Sequence, residues 1–315
     1  MKDEAVSIII PTKNAERYLE EQLRAIFSQE DVPRPEVVII DSGSTDGTIR
    51  IAARYPVRLI SIQPEEFNHG ATRNLGAREA TWSYLVFLTQ DATPADDSWL
   101  KNLLRPLRED PAVAGAFSRH VPRPGCSLPL ARQIVEEWPQ AGGRQRIVKQ
   151  VSSREELEAR RPYYVYFANT SSCLRRSAWE RFPFRDVDFG EDADWAERVL
   201  LAGCKVVYEP DSAVLHSHDY RLREQLRQHY DYGRMVRGAR LAPAITLRRS
   251  VKTFLVSLRD DFNYIRKERR PRGQFLFSIP FHACCVLGRW LGEHSERLPR
   301  MVRDFLSRQR QIQEK

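Results

Sequence analysis

The chain has 315 residues, 42% of them hydrophobic and 29% charged, a balance that supports one large cored domain with an appendage and excludes a disordered or fibrous chain. Its net charge of +8 is uneven: Tyr220–Lys315 holds 22 Lys/Arg against 9 Asp/Glu, and the other 219 residues hold 28 against 33. Such a basic segment points to an anionic partner, either a lipid surface or nucleic acid, or else to a solvated Arg-rich helical face.

Five cysteines (Cys126, Cys173, Cys204, Cys284, Cys285) form no CxxC pair and fit neither a disulfide framework nor a zinc site, so reduced thiols in a cytoplasmic protein are expected. Met1-Lys2-Asp3-Glu4 leads straight into an apolar run, and no signal peptide is expected.

In chain order, residues 6–10, 36–40, 57–62 and 84–88 are short β-branched or apolar runs. Between them lie helical stretches at 15–28, 46–54 and 71–80. Strands that barely alternate, separated by helices, predict a mostly parallel sheet covered on both faces. Ligands of such sheets bind beyond the carboxyl ends of the strands. Pro11-Thr12-Lys13-Asn14, Asp41-Ser42-Gly43-Ser44-Thr45-Asp46 and Gln90-Asp91 all fall there. Asp41 is placed to accept hydrogen bonds from a nucleobase or ribose, and Ser44, Thr45 or Asp46 to cap the following helix. Arg73 and Asn74 open the next helix, and an Arg fork suits a diphosphate.

Residues 121–160 break this pattern, with loops at 121–125 and a basic turn at 142–146 around a helical segment near 128–137. Strands are then predicted at 163–171, 204–208 and 213–216, and a helix at 192–202. Tyr163, Tyr164, Tyr166 and Trp195 fit a core better than a sugar platform. From Tyr220 the chain reads as helical. Segment 274–288 carries no formal charge but spans only 15 residues and contains Pro280, too little for a crossing of about 20 residues. With Arg266, Lys267, Arg269, Arg270 and Arg272 before it, it suits either a membrane interface or a buried amphipathic helix.

The set Val6–Asn14, Asp41–Asp46, Arg73-Asn74, Gln90-Asp91, Glu191-Asp192 and His216-Ser217-His218, in that order, resembles family 2 glycosyltransferases with the GT-A nucleotide-sugar fold. Glu66–Gly70, Leu88–Ala92 and His216–Tyr220 are most similar to the bacterial rhamnosyltransferase branch. The resemblance implies a catalytic domain over 1–219 and a basic helical region over 220–315. It implies nucleotide-sugar positions at Pro11, Thr12, Asn14, Asp41, Ser44, Arg73, Gln90 and Asp91. Asp192 matches the general base, with Glu191 its neighbour, and Asp91, His218 and His216 match metal ligands. The expected activity is inverting transfer from a nucleoside diphosphate sugar, with dTDP-rhamnose as a candidate donor, to a glycan or lipid-linked acceptor.

One departure concerns the metal. The first Asp of the family's DXD motif is Thr89 here, which removes a hard oxygen ligand and should weaken Mg²⁺ or Mn²⁺ binding. Two other readings share the fold. Nucleotidyl transfer calls for a Gly-rich phosphate loop, and Pro11–Asn14 has no glycine. A non-catalytic nucleotide-sugar or membrane-binding module accommodates Thr89 and the basic tail; nucleic acid is disfavoured, because no motif for it is present.

Overall fold

A computed structural model describes residues 5–137, 143–187, 190–217, 220–238 and 244–307. The chain divides into two compact units: residues 1–123 with 134–216, and residues 124–133 with 217–315.

The first unit is built on nine strands, β1 (Val6–Thr12), β2 (Glu36–Asp41), β3 (Arg58–Ser61), β4 (Tyr84–Leu88), β5 (Thr93–Pro94), β6 (Val113–Val121), β7 (Ile147–Lys149), β8 (Ser171–Arg175) and β9 (Lys205–Leu215). They form one sheet in the order β3-β2-β1-β4-β8-β6-β9-β5, with β7 added against β9. The predicted parallel core is present as β3-β2-β1-β4. Val6, Ile8, Ile9, Ile10, Val38, Ile39 and Ile40 are fully or almost fully buried, the mark of strands covered on both faces. Beyond β4 the sheet is mixed: β8 runs antiparallel to both β4 and β6, while β6 and β9 are parallel to each other. The carboxyl ends of β1, β2, β4, β6 and β9 and the start of β8 therefore share one edge.

Helices α1 (Glu16–Phe27), α2 (Thr48–Ala52), α3 (His69–Glu79) and α4 (Trp99–Glu109) belong to this unit. Following α5 (Leu128–Arg132), which lies in the second unit, come α6 (Arg154–Ala159), α7 (Arg161–Tyr164), α8 (Arg176–Arg181) and α9 (Glu191–Leu201). The second unit continues with α10 (Leu222–Gly238), α11 (Leu247–Lys267), α12 (Phe275–Glu293) and α13 (Arg300–Leu306).

Three expectations are corrected. The strand predicted at 163–171 is the helix α7, then a loop, with the strand starting only at Ser171. The aromatic run reads as β, but Pro162 sits at the start of a helical turn, where its missing N–H costs nothing. The strands predicted at 204–208 and 213–216 are one strand, β9, whose register against β6 shifts around Pro210. The uncharged stretch 274–288 belongs to a helical run over Arg272–Glu293 that continues through Pro280, and these 22 residues are long and apolar enough to cross a membrane by length and composition. Of the basic turn expected at 142–146, Gly142 lies outside the described residues.

Candidate active site

The shared strand edge gathers the predicted residues into three linked groups. In the first, the loops after β1, β2 and β4 are tied together. Thr12 Oγ1 donates to Asp41 Oδ1 at 3.0 Å, and the Asp41 carboxylate also accepts from the Gly43 and Ser44 amides at 3.1 and 2.9 Å. Ser44 Oγ in turn accepts from the Asn14 amide at 2.8 Å, and Asn14 Oδ1 accepts from Thr45 N at 2.9 Å. Gln90 clasps the Lys13 backbone from both sides, Oε1 accepting at 2.7 Å and Nε2 donating at 3.1 Å. Pro11 holds register between β1 and β2 opposite Ile40. Asp46 accepts from the Glu16 and Thr48 amides, which fixes the starts of α1 and α2 at once.

The second group surrounds α9. Arg73, in the second turn of α3 rather than at its start, places Nη1 3.0 Å from Glu191 Oε1 and 3.0 Å from the His69 carbonyl oxygen. Both charged side chains are almost fully buried, 5% and 8% exposed. Asn169, in the loop before β8, reaches both acids: its Nδ2 donates to Glu191 Oε1 at 3.3 Å and its amide to Asp192 Oδ2 at 3.4 Å. Ser172 Oγ fixes the Asn169 side chain by donating to its Oδ1 at 2.8 Å.

This arrangement separates the two carboxyls. Burial, and then the charge on Glu191, push Asp192 up to about 7 against the pull of Arg73 and the Asn169 and Ala193 amides. Burial also works to raise Glu191, but Arg73, His69 and Asn169 outweigh it and hold that carboxyl below its usual range. Burial and the Arg73 charge push His69 down, against the opposing pull of Glu191. One acid of the pair stays ionised, and the other is poised near neutrality.

Why α9 sits there is written in Asn68–Asn74. Asn68 caps α3, its Oδ1 accepting from the Gly70 and Ala71 amides, while its Nδ2 donates to Asp186 Oδ1 at 2.6 Å. Gly70 lets the segment before α9 press against α3: a Cβ there would lie 2.4 Å from the Arg185 carbonyl oxygen. Asn74 completes the clasp by donating to the Phe184 carbonyl at 2.7 Å and accepting from Trp179 Nε1 at 2.8 Å.

In the third group, His216 Nε2 lies 3.6 Å from Asp91 Oδ1, and its ring packs edge-on against His120 with centroids 5.1 Å apart. Arg123 donates to the Asp91 carbonyl oxygen at 3.1 Å and holds the turn after β4. Thr89 N donates to the Thr170 carbonyl at 3.1 Å, which joins this turn to the loop carrying Asn169. His218 lies outside the described residues. Among the described residues no three His, Cys, Asp or Glu side chains gather as a ligand set. Trp195 is fully buried and Tyr164 nearly so, which makes both core residues.

Comparison with known proteins gives this geometry its context. The family model "Glycosyl transferase family 2" matches residues 7–155. The chain is 34% identical over 233 residues to the O-antigen chain rhamnosyltransferase RfbN of Salmonella typhimurium, a match covering 72% of this chain and 71% of that one. The chain belongs to glycosyl transferase family 2. It is also 32% identical to the O-antigen chain rhamnosyltransferase WbaN of Salmonella anatum, over 72% of this chain and 70% of that protein. This family 2 glycosyltransferase has the GT-A fold expected from its sequence. Among solved structures it resembles the mannosyltransferase PcManGT of Pyrobaculum calidifontis, solved with GDP-Man and Mn²⁺, at a TM-score of 0.57 and 18% identity over 93% of this chain and 88% of that one.

Sequence reasoning missed three residues of this candidate site. Asn169 was hidden inside the strand predicted at 163–171. His120 lies on β6, which was not singled out, and His69 read as part of a helix start. The polar run Asn169-Thr170-Ser171-Ser172 after an aromatic stretch was the available signal for the first.

Proposed function

We propose that this glycosyltransferase moves a sugar from a nucleoside diphosphate donor, with dTDP-rhamnose as the favoured candidate, to a hydroxyl of a glycan or lipid-linked acceptor, inverting the anomeric carbon. The observation that carries the reading is Asp192: its carboxyl is raised to about 7 beside an ionised Glu191, at the strand edge where GT-A proteins bind nucleotides. Similarity to two rhamnosyltransferases supports the choice of donor.

In this mechanism the acceptor oxygen attacks the anomeric carbon as the bond to the diphosphate breaks. Asp192 takes the hydroxyl proton, a task suited to a group whose pKa lies near the working pH. A single displacement from the face opposite the leaving group inverts the configuration. Glu191, held ionised by Arg73, keeps the pKa of Asp192 high, and Asn169 orients both carboxyls. The loops at Thr12–Asn14, Asp41–Ser44 and Gln90 form the nucleotide side of the site, pre-organised by their mutual hydrogen bonds.

A divalent cation fits the donor set in part. Asp91 and His216, 3.6 Å apart and each partly accessible, offer a carboxylate and an imidazole suited to Mn²⁺. Beyond these two groups, the donor's diphosphate oxygens would supply further hard oxygen ligands. When bound, the ion offsets the negative charge of the departing nucleoside diphosphate.

A panel of nucleoside diphosphate sugars, followed by NMR of the product, tests the reading. Transfer from dTDP-rhamnose with inverted anomeric configuration is expected. Retention of configuration would overturn the role of Asp192, and exclusive use of another donor would overturn the choice of sugar.

A further inference from the structure

The second unit leaves two apolar helical stripes uncovered. On α11, Leu247, Val251, Leu255 and Phe262 are exposed at spacings of four, four and seven, which keeps them on one side of the helix. On α12, Leu276, Ile279, Ala283 and Leu287 repeat the pattern at spacings of three, four and four, all exposed. The stripes meet where the chain turns between the helices: the Phe262 and Phe275 rings contact each other, with centroids 5.8 Å apart. Cations surround them. Residues 244–274 hold nine Lys/Arg against three Asp/Glu, and Arg266, Lys267, Arg269 and Arg272 are all exposed at the turn.

Elsewhere along its length α12 packs against α10 and α11. Toward α10 its backbone is in glycine-mediated contact: a Cβ at Gly288 would lie 2.3 Å from the Leu226 carbonyl oxygen, and one at Gly292 2.0 Å from that of Tyr230. Toward α11, His282 Nε2 lies 2.9 Å from Asp261 Oδ2, and Arg132 of α5 pairs with the same carboxylate, all three side chains being buried. α10 carries six charged residues, so a bilayer-crossing α12 would either drag them into hydrocarbon or unpack its own seam.

We propose that the exposed face of α11 and α12 lies flat on an anionic lipid bilayer, the apolar stripes entering the interface and the flanking Lys/Arg side chains meeting the lipid headgroups. A second copy of the chain is the poorer occupant, because two faces rimmed by like charge repel. An apolar face bordered by Lys and Arg is the usual form of an interfacial helix, and each exposed cation near such a surface adds on the order of fivefold to partitioning.

The test is co-sedimentation of the full chain with phosphatidylcholine vesicles, with and without phosphatidylglycerol. Binding is expected only with the anionic lipid and should weaken as salt rises. The variant Arg266→Gln/Lys267→Gln/Arg269→Gln should lose about 100-fold in partitioning. Leu276→Glu/Ile279→Glu should abolish it with circular dichroism and Tm unchanged, since both side chains are exposed. If that second variant unfolds, the charge variant decides alone. Equal binding to neutral vesicles, resistance to alkaline carbonate extraction, or a non-binding wild-type dimer that Leu276→Glu/Ile279→Glu dissolves would each overturn the inference.

Discussion

Arg73 and Glu191 form a 3.0 Å ion pair that is nearly sealed from solvent, and this contact ties α3 to the start of α9. Removing one partner leaves the other charge buried alone, at a cost of about 3–5 kcal/mol. Arg73→Met should therefore lower stability by that amount in denaturant titration, and Arg73→Met/Glu191→Gln should recover part of it. Unchanged stability with a raised KM for donor would instead place Arg73 on the diphosphate, the role expected from sequence.

The pH profile follows from Asp192. A base must be deprotonated, so transfer should rise as pH passes through about 7. The same shift acts on stability with a definite sign. The folded protein favours the protonated form, so the contribution of Asp192 is most favourable below the ordinary carboxylate range and is lost as pH climbs through about 7. Asp192→Asn should therefore raise Tm, and by more at about pH 8 than at about pH 5. Equal gains at both values would contradict the shift.

Asn169 acts through the two acids. Asn169→Ala removes a hydrogen bond to an ionised carboxylate, an interaction of about 1.5–3 kcal/mol. A kcat decrease of roughly 10- to 100-fold is expected with donor KM little changed, and the pH midpoint of transfer should move. A purely structural role would leave that midpoint where it was, which steady-state assays across pH would reveal.

Two variants test the proposed cation site in opposite directions. His216→Ala should raise the Mn²⁺ concentration needed for half-maximal activity by at least about 10-fold. Thr89→Asp, which restores the carboxylate this chain lacks, should lower it, as a Mn²⁺ titration after chelator treatment would show. Full activity of the native protein in chelator would contradict the assignment.

The parallel half of the sheet and its loops were legible because β1, β2 and β4 are short, mainly apolar runs that end in polar turns. The clasp of Asn14, Ser44 and Gln90 was not legible, since those side chains bind backbone groups distant in sequence. Arg73 was read as a diphosphate ligand because its fork suits one; its ion pair with Glu191, 118 positions away, has no signature in the local sequence. The loop of Asn169 was lost to an aromatic run that mimics a strand, and Pro162 was the overlooked signal. The apolar segment before Gly288 read as too short because its limits were set by charge, whereas Arg272, Arg289 and Glu293 at its ends are accommodated within one helical run.

In the proposed mechanism Asp192 removes the acceptor proton. Single-turnover transfer by Asp192→Asn, measured beside donor affinity by calorimetry, tests it most directly. Transfer should fall about 10²-fold or more while donor affinity stays at the native value. Native turnover in that variant, or a loss fully explained by weaker donor binding, would contradict the account.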